Sequence, residues 1–281
     1  VSDGGPPRFF HEAESAPGDT LELDGDEAEH GAQSLRLRPG DTIELVDGKG
    51  HVATAQVTGS HRRRLTVSIL ARSFESPPDR PRLILGLGLL KGPRFDLALE
   101  KLTELGVDVV IPLLTHYSEV PLPGKTKSGR WHRILVSAMK QSRRTWLPEL
   151  REPVRLADML AAEKPDLLLV AHPALPDGTP APTYAAPAAR LPTAPPAPAP
   201  TSPAGPARRT ELLLVGPEGG WAPEELRLVT KAGASFISLG PNRLRAETAA
   251  MALLSWRLSA LGWMGAGPIS VDRAGSSGMT S

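Results

Sequence analysis

Apolar positions change their period part-way along the chain. Between Arg8 and Ser73 they fall in short alternating or continuous runs, Asp41–Val46 (DTIELV), His51–Thr58 and Leu65–Leu70, parted by turn pairs such as Pro39-Gly40 and Asp47-Gly48. A period of two sends successive side chains to opposite faces, so these runs predict strands. Short strands joined by tight turns predict a small β-barrel. Ser73–Pro81 (SFESPPDRP) reads as a linker.

From Arg82 strand and helix alternate. Leu83–Leu89 is an apolar run of strand length, after which Phe95, Leu99 and Leu102 recur at i, i+4 and i+7, one face of a helix. Gly106 closes that helix, since glycine takes the left-handed backbone of a C-cap without penalty. Further strands are predicted at Val107–Leu114, Leu167–Val170, Glu211–Val215 and Phe236–Leu239, and helices at Arg130–Arg144, Pro223–Ala232 and Glu247–Leu261. This alternation implies an α/β domain with a mostly parallel sheet.

Two stretches carry no period. Pro173–Pro206 holds 12 of the 30 prolines and is otherwise mostly alanine. It has too little apolar surface to offset its ordering entropy, so a disordered insertion is expected between two strands. Gly265–Ser281 reads as a flexible tail. The expected division is therefore a β-barrel domain over 1–74, an α/β domain over 82–264, and the tail over 265–281.

Composition narrows the function classes. The 281 residues (29.9 kDa) suffice for one large domain or two modest ones. The absence of cysteine excludes disulfides, thiolate metal sites and cysteine nucleophiles, and suits a reducing compartment. No apolar run reaches about 18 residues and the start, VSDGGPPRFF, lacks a signal peptide's layout, so a cytoplasmic protein with no membrane contact is expected. The seven histidines show no pair at metal-ligand spacing with carboxylates, and no metal is expected.

A net charge of +1 excludes a uniformly basic nucleic-acid coat, yet it conceals opposed local fields. Eight acidic residues and no Lys or Arg lie between Phe10 and Leu35, whereas Arg130 to Arg144 holds five Lys or Arg residues and no acid. Arg133, Lys140 and Arg144 stand at i, i+7 and i+11, a cationic stripe that suits a phosphate backbone and equally suits a solvated face.

Three glycine-bearing turns are candidates for ligand chemistry. Gly86-Leu-Gly88-Leu-Leu-Lys-Gly92 has the outline of a dinucleotide turn, but the next strand ends Leu113-Leu114-Thr115-His116, without the acidic residue that would hold a ribose. Leu214-Val215 runs into Gly216-Pro217-Glu218-Gly219-Gly220, which lacks the Lys-Ser/Thr of a P-loop. Its glycines leave backbone groups bare for a ligand. The third turn is Leu239-Gly240-Pro241-Asn242-Arg243-Leu244-Arg245-Ala246-Glu247-Thr248-Ala249, in which Glu247 falls in a first helical turn, where the dipole favours a carboxylate.

These segments together resemble the RsmE family, bacterial 16S rRNA uridine-N3 methyltransferases of the SPOUT superfamily. The resemblance is carried by Lys91-Gly92…Leu99-Glu100-Lys101-Leu102-Thr103-Glu104-Leu105-Gly106-Val107 with Pro112, and by Met139-Lys140-Gln141-Ser142-Arg143-Arg144 with Pro148. The turns after Val215 and Leu239 complete it, while Arg8-Phe9-Phe10 and Gly40-Asp41…Asp47-Gly48 resemble the family's PUA-like N-terminal barrel. The insertion and tail depart from the pattern, and Ala246 stands where many relatives carry Thr.

The resemblance implies a SPOUT-type domain with a deep trefoil knot, a homodimer, S-adenosylmethionine as cofactor, and 16S rRNA of the small ribosomal subunit as partner. The implied cofactor residues are Ala171, His172, Leu214, Val215, Gly216, Pro217, Glu218, Gly219, Gly220, Leu239, Gly240, Leu244 and Ala249. Arg245, Glu247 and Glu218 are the catalytic candidates, their roles left open. Arg8, Arg133, Lys140, Gln141, Arg143 and Arg144 are expected on the RNA. In the apolar helix Met251, Leu254 and Leu258 suit either the dimer interface or the core. Two alternatives stand beside this reading: a SPOUT methyltransferase for another RNA position or a ribose 2′-hydroxyl, and a non-catalytic RNA-binding assembly factor.

Overall fold

The computed structural model describes residues 5–12, 15–29, 31, 34–61, 64–118, 125–175, 177–181 and 208–264. In its N-terminal part, β1 (Arg8–Phe10), β2 (Thr20–Asp24), β3 (Thr42–Val46), β4 (His51–His61) and β5 (Arg64–Phe74) form one sheet in the order β1-β3-β4-β5-β2. The long β4–β5 hairpin is irregular at Thr54/Ala55 and Val57/Gly59, and such bulges increase twist. Alternate residues Ala53, Ala55 and Val57 of β4 and Leu65, Val67 and Ile69 of β5 share a core with Phe9 and Ile43. The sheet is curled around that core rather than closed. Among the described residues, its edge strands β1 and β2 each pair with one neighbour. The five-residue α1 (Gly25–Glu29) is a helix that the acidic segment did not announce.

The second sheet is wholly parallel. It comprises β6 (Arg82–Gly88), β7 (Val109–Leu114), β8 (Glu149–Leu150), β9 (Val154–Arg155), β10 (Leu167–Ala171), β11 (Thr210–Val215) and β12 (Ser235–Ile237). Its order is β12-β10-β11-β6-β7-β8, with β9 also on β7. Helices α2 (Arg94–Leu105), α3 (Lys125–Gln141) and α6 (Ala246–Ala260) share one apolar cluster with the sheet. Helices α4 (Leu156–Ala162) and α5 (Pro223–Lys231) share the other. Strands covered on both faces read as unbroken apolar runs, which is why the sequence showed no alternation here.

α2 ends as its sequence predicts: Gly106 takes φ +106° and its N–H donates to the Leu102 carbonyl at 3.1 Å. The Gly86–Gly92 run is not a phosphate turn, because Gly86 and Gly88 lie inside β6. A Cβ at position 88 would stand 2.5 Å from the Pro217 nitrogen, so this glycine lets the loop after β11 lie directly on β6. Helix α6 is fastened to β11 by a buried fork in which Arg257 donates to Glu211 at 2.5 and 2.6 Å.

The helix expected at Arg130–Arg144 spans Lys125–Gln141 instead, turning off where Arg143 adopts φ +57°. The expected cationic stripe is largely occupied within the protein. Lys140 pairs with Glu27 of α1. Arg143 reaches Glu44 at 3.0 Å, the carboxylate that also takes Arg8 Nε at 2.8 Å. Arg144 donates to the Thr103 and Val107 carbonyls at 2.7 and 3.0 Å, closing the C-terminal end of α2 where the dipole welcomes a cation. Burial pulls its guanidinium down to about 10. These residues fasten the curled sheet and α3 together, and Arg133 and Gln141 remain exposed.

The region expected as a disordered insertion begins with folded chain. Leu175 N–H donates to Thr179 O at 2.6 Å, Ala181 N–H donates to Pro173 O at 3.0 Å, and Ala181 joins the core on the α4/α5 side. A single buried alanine leaves no trace in a proline-rich pattern. The rest of the insertion and the tail over 265–281 lie outside the described residues. Of the apolar helix, Leu254 and Leu258 are wholly buried within the chain, whereas Met251 is half-buried.

Candidate active-site cleft

The chain order reverses across β6, with β7 on one side and β11 on the other. Parallel sheets bind ligands beyond the carboxyl ends of strands near such reversals. There the structure holds a cleft of about 660 Å³, lined by Ala171–Pro173 after β10, Val215–Trp221 after β11, and Ser238–Ala246 with Ala249 after β12. The volume is that of a small-molecule site.

Most residues singled out from sequence meet here. Ala171, His172, Val215, Gly216, Pro217, Glu218, Gly219, Gly220, Leu239, Gly240, Leu244, Arg245 and Ala249 all line the cleft. Leu214 does not. Strand alternation turns it to the α4/α5 side, wholly buried, with its Cδ2 2.7 Å from where a Gly86 Cβ would lie. Ser238, Asn242, Arg243 and Trp221 also line the cleft. The indole Nε1 of Trp221 is buried without a hydrogen-bond partner among the described residues.

The loop after β11 is braced from outside. Gly219 packs so closely on the chain after β7 that a Cβ would stand 2.6 Å from Tyr117 Cβ. The buried Glu225 carboxylate accepts the Ala222 N–H at 2.8 Å and the His116 N–H at 2.9 Å, clamping both segments to the start of α5. On the third wall, His172 Nδ1 lies 2.5 Å from the Ala174 carbonyl.

The three catalytic candidates occupy different places. Arg245 is exposed at the rim and Glu218 lines the cleft, but Glu247 is 5% exposed and does not contribute to the lining. Between the two carboxylates stands Arg94, which sequence reasoning missed. Its Nη1 is 3.0 Å from Glu218 Oε1 and its Nε 4.0 Å from Glu247 Oε1. Arg94 is the first residue of α2, where the helix dipole disfavours a cation. The only local signal was its place inside the motif that follows Lys91-Gly92. Among the described residues no group of three His, Cys, Asp or Glu could hold a metal ion, and no helix is long and apolar enough to cross a membrane.

Residues 77–257 match the RNA methyltransferase domain family, and residues 23–70 match the RNA methyltransferase PUA domain. The chain belongs to the RNA methyltransferase family. Its relatives include the ribosomal RNA small subunit methyltransferase E of Mycobacterium bovis, 34% identical over 83% of each chain. The protein of the same name from Synechocystis is 31% identical over 76% of this chain and 65% of its own length. Two solved structures share the architecture of this RNA methyltransferase. A putative methyltransferase from Legionella pneumophila in complex with the bound cofactor SAM is 29% identical, with a TM-score of 0.77 over 91% of this chain and 98% of the other. The ribosomal RNA small subunit methyltransferase E from Neisseria gonorrhoeae bound to S-adenosyl methionine is 26% identical, with a TM-score of 0.73 over the same shares.

Proposed function

We propose that this chain is an S-adenosylmethionine-dependent methyltransferase of 16S rRNA, and that its product is N3-methyluridine. The carrying observation is the glycine-walled cleft beyond β10, β11 and β12, in a chain of the RNA methyltransferase family.

The residues present fit the cofactor. Gly216, Gly219 and Gly240 offer backbone N–H and C=O groups to the adenine and ribose edges, Gly220 (whose N–H donates to the Pro217 carbonyl at 2.9 Å) its C=O, and Val215, Leu239, Leu244 and Ala249 an apolar slot. The unpartnered Trp221 Nε1 offers a further donor beside them. When bound, S-adenosylmethionine supplies a methyl group on a positively charged sulfur. The remaining task of the chain is to align that group with the acceptor nitrogen, for which proximity is the main term.

Uracil N3 carries a proton that must leave before the nitrogen can act as a nucleophile. Glu218, the acidic residue of the lining, is placed to accept it. Glu247 lies beneath and acts through Arg94, and Arg245 stands at the rim to meet the RNA. N3 also lies on the pairing edge of the base, so the target uridine must be unpaired or swung out. The RNA is proposed to run along the exposed Arg133 and Gln141 of α3. In this reading Arg8, Lys140, Arg143 and Arg144 contribute chiefly by fixing how the curled sheet presents itself beside that helix.

The reading also takes residues 1–74 and 82–264 as two domains and the protein as a cytoplasmic homodimer, with the half-buried Met251 available to the interface. It further places the chain after Gly240 through a loop of the α/β domain, as a deep trefoil knot. Mapping modified nucleosides by mass spectrometry in rRNA from a deletion strain tests the function. Loss of N3-methyluridine from 16S rRNA is expected, and an unchanged level would sink the proposal.

A further inference from the structure

We propose that Arg94 is a catalytic residue that takes up the negative charge of the deprotonated uracil at the moment Glu218 accepts its proton. The inference rests on the uridine-N3 reading above.

Three observations converge on this residue. A guanidinium at the first position of α2 works against the helix dipole, so something other than helix stability accounts for it. Two carboxylates from distant parts of the chain supply that counterweight, Glu218 at 3.0 Å and Glu247 at 4.0 Å. Glu247 is buried outside the cleft lining, with its Oε2 unpartnered among the described residues. An unbonded buried carboxylate is costly. Its cationic neighbour is Arg94, whose side chain is 37% exposed beside the lining residue Glu218, whereas that of Glu247 is 6% exposed, so the contribution of Glu247 is to hold that charge in place.

The chemistry turns this arrangement into an exchange of partners. The N3–H of uracil is a weak acid, and a lone carboxylate is a poor base for it. A cation beside the O2 or O4 oxygen of the base stabilises the anion and makes the proton easier to remove. The N3–H bond breaks and the proton passes to Glu218, which thereby becomes neutral and gives up its ion pair with Arg94. The freed guanidinium then faces the uracil anion. The N3 lone pair forms the bond to the methyl carbon as the bond from that carbon to sulfur breaks, so the negative charge of the base and the positive charge of the sulfonium cancel. The proton leaves Glu218 for solvent and the ion pair with Arg94 re-forms.

The test compares wild type, Arg94→Gln and Arg94→Lys on RNA carrying uridine or 5-fluorouridine at the target, whose fluorine makes N3 more acidic. Calorimetry gives the Kd for S-adenosylmethionine, single-turnover kinetics give the rate, and nucleoside mass spectrometry gives the product. For Arg94→Gln we expect an unchanged Kd and a rate about 10²–10³-fold lower on uridine, the usual loss when one donor to a developing anion is removed. The loss should shrink on 5-fluorouridine and as pH rises, and Arg94→Lys should recover part of it. Equal losses on both substrates, an unchanged rate, or a loss that resides in Kd would each overturn the proposal and leave Arg94 a brace for the loop. A wild-type product other than N3-methyluridine would overturn the underlying uridine reading as well, and the wild-type sample alone reveals that case.

Discussion

Arg94 and Glu218 meet at 3.0 Å across 124 residues of sequence, joining the start of α2 to the loop after β11. The pair is about one-third exposed on each side, and such surface pairs contribute little to stability. Its value lies in placement: it holds a cation against the one carboxylate of the cleft lining, with a second, buried carboxylate near the same cation.

Glu225 organises the same loop from below. Glu225→Ala removes the acceptor of two backbone N–H groups, those of Ala222 and His116. Of the two, the Ala222 donor is buried and the His116 donor belongs to an exposed residue that water can reach, so one unpaired buried donor, roughly 1–3 kcal/mol, is the stability loss expected in urea unfolding. S-adenosylmethionine affinity should fall with it, because the Gly216–Gly220 backbone loses its anchor.

Two arginines from one basic stretch should behave oppositely. Arg144→Ala uncovers the carbonyls of Thr103 and Val107 and should destabilise the protein by about 2–4 kcal/mol without altering the salt dependence of RNA binding. Arg133→Ala, on the exposed face, should leave unfolding unchanged and lower the salt slope of RNA binding by about 1. A salt titration of both variants separates them.

Acid stability should depend on Asp47. Burial works against its charged form, but hydrogen bonds from the Lys49 N–H at 2.7 Å, the His51 ring at 2.7 Å and the His51 N–H at 3.1 Å outweigh it and hold the carboxyl below its ordinary 3.8. A carboxyl with a depressed folded-state pKa adds stability above its unfolded value, and that stability is lost as pH falls through the folded value. Asp47→Asn should therefore be less stable at neutral pH and show a shallower loss of Tm below pH 4 than wild type.

The proline-rich segment should divide at Ala181. Removing residues 183–204 takes out chain whose composition offers the core almost nothing, so S-adenosylmethionine affinity should stay unchanged. A deletion starting at Asp177 also removes Ala181, which is 4% exposed in the α4/α5-side core, and should lower Tm. Thermal unfolding and calorimetry on the two deletions check this.

Much of the architecture was legible in the chain because its causes are local. Alternation over Asp41–Val46, the i, i+4, i+7 apolar face of α2 and the Gly106 cap each act within a few residues, and each sets one element. Short elements escaped, since α1 and the seven-residue α4 span too few turns to show a period. The glycines at the ends of β11 and β12 also pointed to the cleft, although close packing accounts for Gly219 and positive φ for Gly220 and Gly240 as well.

Sequence by itself thus determined the alternation of elements, the position of the glycine-bearing loops that line the cleft and the family to which the chain belongs. Only the tertiary structure decided which side chains those loops face. It turned Leu214 inward and Val215 to the cleft, drew Arg144 beneath α2, and brought Arg94 between Glu218 and Glu247. The reason is physical: propensity and periodicity act over a few residues, whereas ion pairing and burial depend on distances in space, which the packing of sheet and helices alone sets.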